Sequence, residues 1–245
     1  MTAPDKAHQR IIFPLDVPTK VEAVRFAKLL KDSVGVFKIG LELFVAEGPS
    51  VIEAVKATAP DAKIFFDMKL HDIPETVKRA MRSATKLGVN FITVHCDNAS
   101  LMEAAHEAQS NDCIVLGVTV LTSLSREGLR EVGISPELRD PSKLVMHRAE
   151  LAKRAGLGGI VCSALEVASI KERFGSKLVT VTPGIRLADK KILNDDQRRV
   201  ATPYAATKDG ADYIVVGRPI RDAEDPLKAA EVIAKEIEEA LTDKK

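Results

Sequence analysis

Eight short apolar runs alternate along the chain with segments of helical periodicity, and this alternation restricts the possible folds more than any other feature. The predicted strands occupy residues 11–16, 34–40, 62–70, 89–95, 113–121, 159–163, 177–182 and 212–217. The predicted helices occupy residues 21–31, 49–58, 75–87, 99–109, 142–155, 165–174, a segment that begins at Thr202-Pro203, and 226–241. Because such alternation gives parallel strands joined by right-handed crossovers, it predicts an α/β fold, a single (β/α)8 TIM barrel.

No linker or change of composition divides the eight units, and no glycine-rich turn follows the first strand, which disfavours a doubly wound sheet. Barrels of this kind reach about 250 residues as one domain. A chain of 245 residues fits that size. We therefore predict one domain over residues 1–245, in which residues 1–10 form a flexible N-terminal segment.

The composition is that of a globular protein, with 45% hydrophobic residues, 29% charged residues and a net charge of +1. Because the two signs of charge are interspersed, nucleic acid is not an expected partner. No apolar stretch approaches the roughly 20 residues that span a bilayer, so no membrane association is expected. Cys96, Cys113 and Cys162 are far apart, which indicates neither a disulfide framework nor a zinc site. The predicted location is the cytoplasm.

The third predicted strand ends in three ionisable residues: Asp67, Lys69 and Asp72. Side chains alternate along a strand, so Asp67 and Lys69 leave the same face. Asp72 follows where the chain must turn into a helix that Pro74 opens. The ordinary interpretation is a surface ion pair, which contributes little to stability. The alternative is a functional site, and the other strands decide between the two.

Polar residues also follow the other predicted strands, and in a barrel these strand ends meet at one mouth where active sites form. They are Asp16, Lys38, His95, Thr122 with Ser123, Arg186, and Gly217 with Arg218. The seventh and eighth strand ends predict a phosphate site, because Gly217 permits close backbone approach and Arg218 offers a planar fork. Arg186 and a polar, mobile loop over residues 187–200 containing Gln197 are expected to close over the same anion.

These residues resemble the orotidine 5′-phosphate decarboxylase family in its bacterial form. The D-x-K-x-x-D pattern of Asp67, Lys69 and Asp72 is followed by Ile73-Pro74. The further matches, in family order, are Leu15-Asp16, Lys38-Ile39-Gly40, Val118-Thr119-Val120-Leu121-Thr122-Ser123, Thr182-Pro183-Gly184-Ile185-Arg186, Asp196-Gln197-Arg198-Arg199 and Val216-Gly217-Arg218-Pro219. The resemblance covers residues 11 to 220. It implies conversion of orotidine 5′-phosphate to UMP and CO2 in de novo pyrimidine biosynthesis.

The resemblance also implies roles at the matching positions. Lys69 would protonate C6 of the pyrimidine, within a charged array of Lys38, Asp67, Lys69 and Asp72. Other substrate contacts would come from Asp16, Lys38 and Thr76 at the ribose, Thr122 and Ser123 near the pyrimidine, and Arg186, Gln197, Gly217 and Arg218 at the phosphate. Asp67 and Pro183 would also bind the substrate. The family is a homodimer in which Asp72 and Ile73 enter the neighbouring subunit's site. It needs no metal and no organic cofactor.

Two other functions fit parts of this pattern. A metal-dependent sugar-phosphate decarboxylase or aldolase relative would have a glutamate at the second strand end, where this chain has Lys38, and a protonated amine cannot bind a metal ion. A catalytically dead barrel that binds a phosphorylated metabolite would usually lack one of the four charged residues, and all four are present.

The remaining charged candidates have ordinary interpretations. We interpret Arg198-Arg199 as a solvated pair on the loop, and His8, His106 and His147 as solvated or surface histidines. For His95 a structural role and a supporting role in the site both remain open. His71, inside the motif, is a candidate for the dimer interface.

Overall fold

The computed structural model describes residues 3–187 and 199–243, and in it eight parallel strands close into a barrel. The strands are β1 (Ile11–Pro14), β2 (Val36–Ile39), β3 (Lys63–Leu70), β4 (Phe91–His95), β5 (Ile114–Val118), β6 (Gly159–Val161), β7 (Val179–Thr182) and β8 (Tyr213–Val215). Each strand pairs with the next in sequence, and β8 pairs with β1 to complete the ring. The predicted (β/α)8 fold is confirmed.

Helices surround the barrel and connect its strands. They are α1 (Lys20–Leu30), α2 (Leu41–Glu47), α3 (Ser50–Thr58), α4 (Pro74–Lys86), α5 (Ala99–Glu107), α6 (Arg126–Glu131), α7 (Pro141–Arg154), α8 (Ala164–Phe174), α9 (Pro203–Lys208), α10 (Arg218–Arg221) and α11 (Pro226–Thr242). Short 3-10 helices cover Ala7–Arg10, Pro136–Leu138 and Gly175–Lys177. In the parts of the chain that the structure describes, no helix combines the length and the apolar character that a membrane span requires.

Local sequence signals explain where several helices begin. Thr202 caps α9 by accepting a hydrogen bond from the Ala205 N–H, and Pro203 takes the first helical position, as predicted. Pro74 opens α4 in the same way. The sequence analysis did not predict α2, which has seven residues and buries only Leu43. A helix this short shows too little periodicity to stand out in sequence.

Two apolar layers hold the barrel. The inner layer fills the ring with the side chains of Ile12, Val36, Phe65, Phe91, Leu116, Val179, Val181 and Tyr213, while the alternate positions pack outward against the helices. Two residues further along three of these strands the inward position becomes polar, at Lys38, Asp67 and Thr93. The change from apolar to polar places a charged cluster at the carboxyl end of the barrel.

The sequence predicts two mobile segments, residues 1–10 and residues 187–200, and the structure describes each of them only in part. Ala7–Arg10 forms a 3-10 helix, and the Arg10 Nε donates a hydrogen bond to the Pro4 carbonyl at 2.8 Å. Flexibility of residues 1–10 stays a prediction. Most of the predicted loop, residues 188–198, lies outside the described residues. Its two flanks are joined, because the Arg186 N–H donates to the Ala201 carbonyl at 2.9 Å.

Candidate active site

Asp67 is the centre of the charged cluster at the barrel mouth. Its Oδ2 lies 2.8 Å from the Lys69 Nζ and 3.6 Å from the Lys38 Nζ. Lys38 also contacts Asp16, whose Oδ1 lies 3.1 Å away. Asp67 and Lys69 therefore leave the same face of β3, as predicted, and β2 supplies the second ammonium group.

The centre of this cluster is mostly removed from solvent, which strengthens its electrostatic interactions. The side chains of Asp67 and Lys38 are only 11% and 12% exposed. Burial by itself raises the pKa of Asp67, but the charges of Lys38 and Lys69 and hydrogen bonds from Lys69 and Thr93 outweigh it and hold the pKa below its ordinary value. Asp67 is therefore ionised at neutral pH, and two ammonium groups are fixed beside it.

A cavity of about 250 Å³ opens directly against this cluster. Lys38, Asp67 and Lys69 form its charged side, and the predicted residues Thr122, Ser123 and Pro183 also line it. The rest of the wall is largely apolar and comes from the barrel strands and the segments after β5 and β6: Phe65, Val118, Val120, Leu121, Val161, Cys162, Val181 and Val215. The cavity is therefore an apolar slot with charge on one side.

A second cavity of about 380 Å³ lies beside the first and contains the residues predicted to bind phosphate. Lys38, Pro183 and Val215 line both cavities, so the two adjoin. The second is also lined by Asp16, Arg186, Gly217, Arg218 and Arg221. A Cβ atom on Gly217 would lie 2.9 Å from the Pro14 Cγ, so the close packing of α10 on β1 favours glycine there. Three guanidinium groups make this cavity suited to an anion.

Arg221 was not among the predicted residues. It lies one helical turn after Arg218 on α10, and its Nη1 donates to the Asp16 carbonyl at 3.2 Å. The sequence signal was the Arg218-x-x-Arg221 spacing, which places both side chains on one face of a helix.

Three predicted site residues do not line either cavity of their own chain. Asp72, Ile73 and Thr76 are exposed, and Ile73 is 66% exposed despite being apolar. The Asp72 Oδ1 accepts a hydrogen bond from the Ile73 N–H at 2.7 Å. Gln197, the remaining predicted residue, lies outside the described residues.

The two histidines near the site contact each other. The rings of His71 and His95 are 5.1 Å apart, and the His71 Nε2 lies 3.1 Å from the Asp97 Oδ1. Burial lowers the pKa of His95, with nearby positive charges adding to the effect and Asp97 opposing it. Neither ring is part of the lining of the two cavities, which favours a structural role for this pair.

The interpretation of Arg199 as a solvated residue is wrong. Its side chain is 10% exposed, its Nη1 lies 2.6 Å from the Glu166 Oε1, and its Nη2 donates to the Val120 carbonyl at 3.3 Å. Burial raises the pKa of Glu166, and the charge of Arg199 opposes that rise. Arg198 lies outside the described residues. Arg199 thus ties the chain after the loop to α8 through Glu166, and to the segment that lines the first cavity through Val120.

Breaking the buried Arg199–Glu166 pair is expected to destabilise the folded protein. Glu166→Ala leaves the Arg199 charge buried without its partner, so we expect it to lower the free energy of unfolding by about 3 kcal/mol. Chemical denaturation of both proteins measures the difference. The exposed pair of Arg173 and Glu150 is the control, because Glu150→Ala is expected to cost less than about 1 kcal/mol. Equal small losses in both variants would contradict the energetic role of the buried pair.

The comparisons with known proteins agree with this geometry. Residues 9–233 match the family described as Orotidine 5′-phosphate decarboxylase / HUMPS. The chain belongs to this family. A protein named orotidine 5′-phosphate decarboxylase from Desulfosudis oleivorans is 52% identical over 233 residues, which cover 94% of each chain. A protein of the same name from Trichlorobacter lovleyi is 41% identical over 240 residues, which cover 95% of this chain and 97% of the relative.

A solved structure shows the same fold. The crystal structure of orotidine 5′-phosphate decarboxylase from Lactobacillus acidophilus is 34% identical, with a TM-score of 0.78, and the match covers 93% of this chain and 98% of that one. The family resemblance given by the motifs is therefore confirmed, and the barrel is the family's fold.

Proposed function

We propose that the protein is an orotidine 5′-phosphate decarboxylase, which converts orotidine 5′-phosphate to UMP and CO2 in pyrimidine biosynthesis. The observation that carries this proposal is the Lys38–Asp67–Lys69 array, placed between an apolar slot and a cavity lined by arginines. Relatives named for this activity align over nearly the whole chain, which supports the same conclusion.

The two adjoining cavities match the two ends of this substrate. The phosphate lies among Arg186, Gly217, Arg218 and Arg221, where planar guanidinium groups suit its oxygens. The pyrimidine fills the apolar slot, where Thr122, Ser123 and Pro183 contact it. The ribose bridges the two beside Asp16 and Lys38, which hydrogen-bond its hydroxyls. Gln197 is proposed as a further phosphate ligand, and Thr76 as a ribose contact.

Loss of CO2 from C6 leaves an electron pair in the plane of the ring, where the π-system cannot delocalise it. The protein must therefore stabilise this charge by groups fixed in advance. The Lys69 ammonium is proposed to lie against C6, to stabilise the developing negative charge, and then to deliver the proton that completes UMP. Binding of the distant phosphate holds the reacting carbon in this position.

Asp67 is proposed to keep Lys69 ready for this step. The Asp67 carboxylate lies 2.8 Å from the ammonium, so it pairs with the positive charge and fixes the direction of the side chain. Asp67 also lies on the charged side of the slot, where a substrate carboxylate would meet it. The repulsion between the two carboxylates is relieved when CO2 leaves, so it favours the transition state over the bound substrate.

The presence of Lys38 supports metal-free decarboxylation and argues against the metal-dependent reaction of related enzymes. A divalent ion ligated by Asp67 would lie within a few ångströms of the Lys38 and Lys69 ammonium groups and would be repelled by both. Among the described residues, no group of three His, Cys, Asp or Glu side chains is arranged to hold a metal ion. We propose that catalysis requires neither a metal nor an organic cofactor.

The active unit is proposed to be a homodimer with shared sites. Asp72 and Ile73 belong to the same motif as Asp67 and Lys69, yet both are exposed and lie outside the cavities of their own chain. An apolar Ile73 side chain that is 66% exposed is well suited to contact a second copy. In the dimer, Asp72 of each subunit would complete the charged array of the other.

We further propose a cytoplasmic enzyme. The three cysteines are buried and unpaired, as in proteins of reducing compartments. Burial raises the pKa of Cys162 to about 12, which keeps this cavity-lining thiol protonated and unreactive.

The test of the proposed reaction is ultraviolet absorbance with orotidine 5′-phosphate as the substrate. The purified protein is expected to consume it, to release CO2 and UMP, and to be unaffected by EDTA. Absence of turnover would overturn the assignment. Turnover that EDTA abolishes and Mg²⁺ restores would instead place the protein with metal-dependent relatives.

A further inference from the structure

Thr93 lies at the junction of the two residues on which the proposed chemistry depends. It is fully buried on β4, facing the inside of the barrel one layer above Phe91. Its hydroxyl accepts a hydrogen bond from the Lys69 N–H at 2.9 Å and donates one to the Asp67 Oδ1 at 2.9 Å. One hydroxyl group therefore joins the backbone of Lys69 to the carboxylate of Asp67.

The backbone that Thr93 holds is strained. Lys69 has φ = +50°, and within the described part of the chain it is the only residue other than glycine with a positive φ. For an L-residue this left-handed conformation costs roughly 1–2 kcal/mol. Without the surrounding structure, a lysine at this position would return to an extended conformation and its side chain would leave the site.

The strain has its origin in an irregularity of the sheet. Phe66 pairs with Ile92 and Leu70 pairs with Val94, so β3 advances four residues where β4 advances two. This bulge removes the Lys69 N–H from the regular ladder of backbone hydrogen bonds. The Thr93 hydroxyl replaces the missing acceptor, and its own proton is then directed at Asp67.

On the proposed decarboxylase function, we infer that Thr93 is a positioning residue for the reaction: its hydroxyl fixes the left-handed Lys69 backbone and the Asp67 carboxylate in the geometry that places the Lys69 ammonium. Thr93 does not line either cavity, so it acts through these two residues and not on the substrate. Few side chains can fill this role at position 93. The side chain must be small, must fit a buried strand position, and must both accept and donate a hydrogen bond.

The chain contains a matched control at the other end of the barrel. Thr180 on β7 is also fully buried, and its hydroxyl accepts from the Asp212 N–H at 3.1 Å and donates to the Asp212 Oδ2 at 3.1 Å. It has the same chemistry as Thr93 but contacts no residue of the active site. Replacing either threonine by valine preserves shape and deletes the hydroxyl.

The experiment compares Thr93→Val, Thr93→Ser and Thr180→Val with the wild-type protein. We expect Thr93→Val to lower kcat for orotidine 5′-phosphate by about 10- to 100-fold, since it removes a hydrogen bond to a charged group. The dissociation constant of UMP, measured by calorimetry, is expected to change less than about threefold, because the phosphate and ribose contacts remain. Thr93→Ser retains the hydroxyl and is expected to keep kcat within about threefold of wild type.

A second measurement does not depend on turnover. Amide hydrogen exchange at Lys69 is expected to be at least about tenfold faster in Thr93→Val than in wild type, and unchanged in Thr93→Ser. If Thr93→Val does not fold, Thr93→Ala takes its place in both measurements. Inactive wild-type and Thr180→Val proteins would refute the proposed function, whereas the exchange rates would still test the contact.

Three outcomes would overturn the role of Thr93. The first is a Thr93→Val enzyme with wild-type kcat. The second is a loss of kcat as large in Thr180→Val, which would make the effect a general one of a buried hydroxyl. The third is a Thr93→Ser enzyme as impaired as Thr93→Val, which would assign the effect to packing of the methyl group.

Discussion

Lys69→Ala is expected to lower kcat for orotidine 5′-phosphate by at least about 10⁴-fold, because it removes both the proton donor and the charge that stabilises the in-plane electron pair. Its fold is expected to persist. The Lys69 side chain is 32% exposed, so its loss opens no closed cavity in the core. Asp67 also keeps Lys38 at 3.6 Å, so its carboxylate is not left buried without a counter-charge.

The measurement combines turnover with a check of the fold. Absorbance gives kcat, and circular dichroism with thermal unfolding shows whether the barrel is intact. Lys63→Ala is the matched control, since Lys63 begins the same strand at the opposite end of the barrel and lines neither cavity. We expect it to retain kcat within about twofold of wild type. A folded Lys69→Ala protein that keeps more than about 1% of turnover would remove Lys69 from the role of proton donor.

The barrel and most of the charged cluster were predictable because both follow from simple periodicities. Side chains alternate along a strand, so Asp67 and Lys69 had to share a face, and Lys38 had to end the neighbouring strand at the same rim. Family motifs then pointed to most of the polar residues that line the two cavities, with Arg221 as the exception. In each of these cases the relevant information lies within a few consecutive residues.

The features that were not predictable depend on partners distant in sequence. Arginine is rarely buried, and the burial of Arg199 depends on Glu166, which is 33 residues away. The positive φ of Lys69 has no local signal either, because glycine or asparagine usually marks that conformation. In the sequence, Thr93 is simply a β-branched residue in an apolar strand. Only the folded chain, with its bulge in β3, brings the Lys69 N–H and the Asp67 carboxylate to the Thr93 hydroxyl.

The shared-site proposal predicts that two inactive proteins restore each other. Lys69→Ala and Asp72→Ala are each expected to be inactive or nearly so. In a hybrid dimer one site lacks both side chains, while the other combines Lys69 of one chain with Asp72 of its partner and is intact. With random exchange in a closed two-fold dimer, half of the dimers are hybrids, so equal mixing should recover about a quarter of wild-type turnover.

The double variant Lys69→Ala/Asp72→Ala provides the control for this experiment. Mixed with an equal amount of wild-type chain, it forms hybrids in which neither site is complete, because each site takes one altered residue. After exchange the wild-type turnover should therefore fall to about half of its starting value. If each site lay within one chain, the single variants would stay inactive when mixed, and the double variant would leave wild-type turnover unchanged. Tagged subunits confirm exchange in both mixtures, so either of those two results would refute the composite site even if Lys69 proved to be the proton donor.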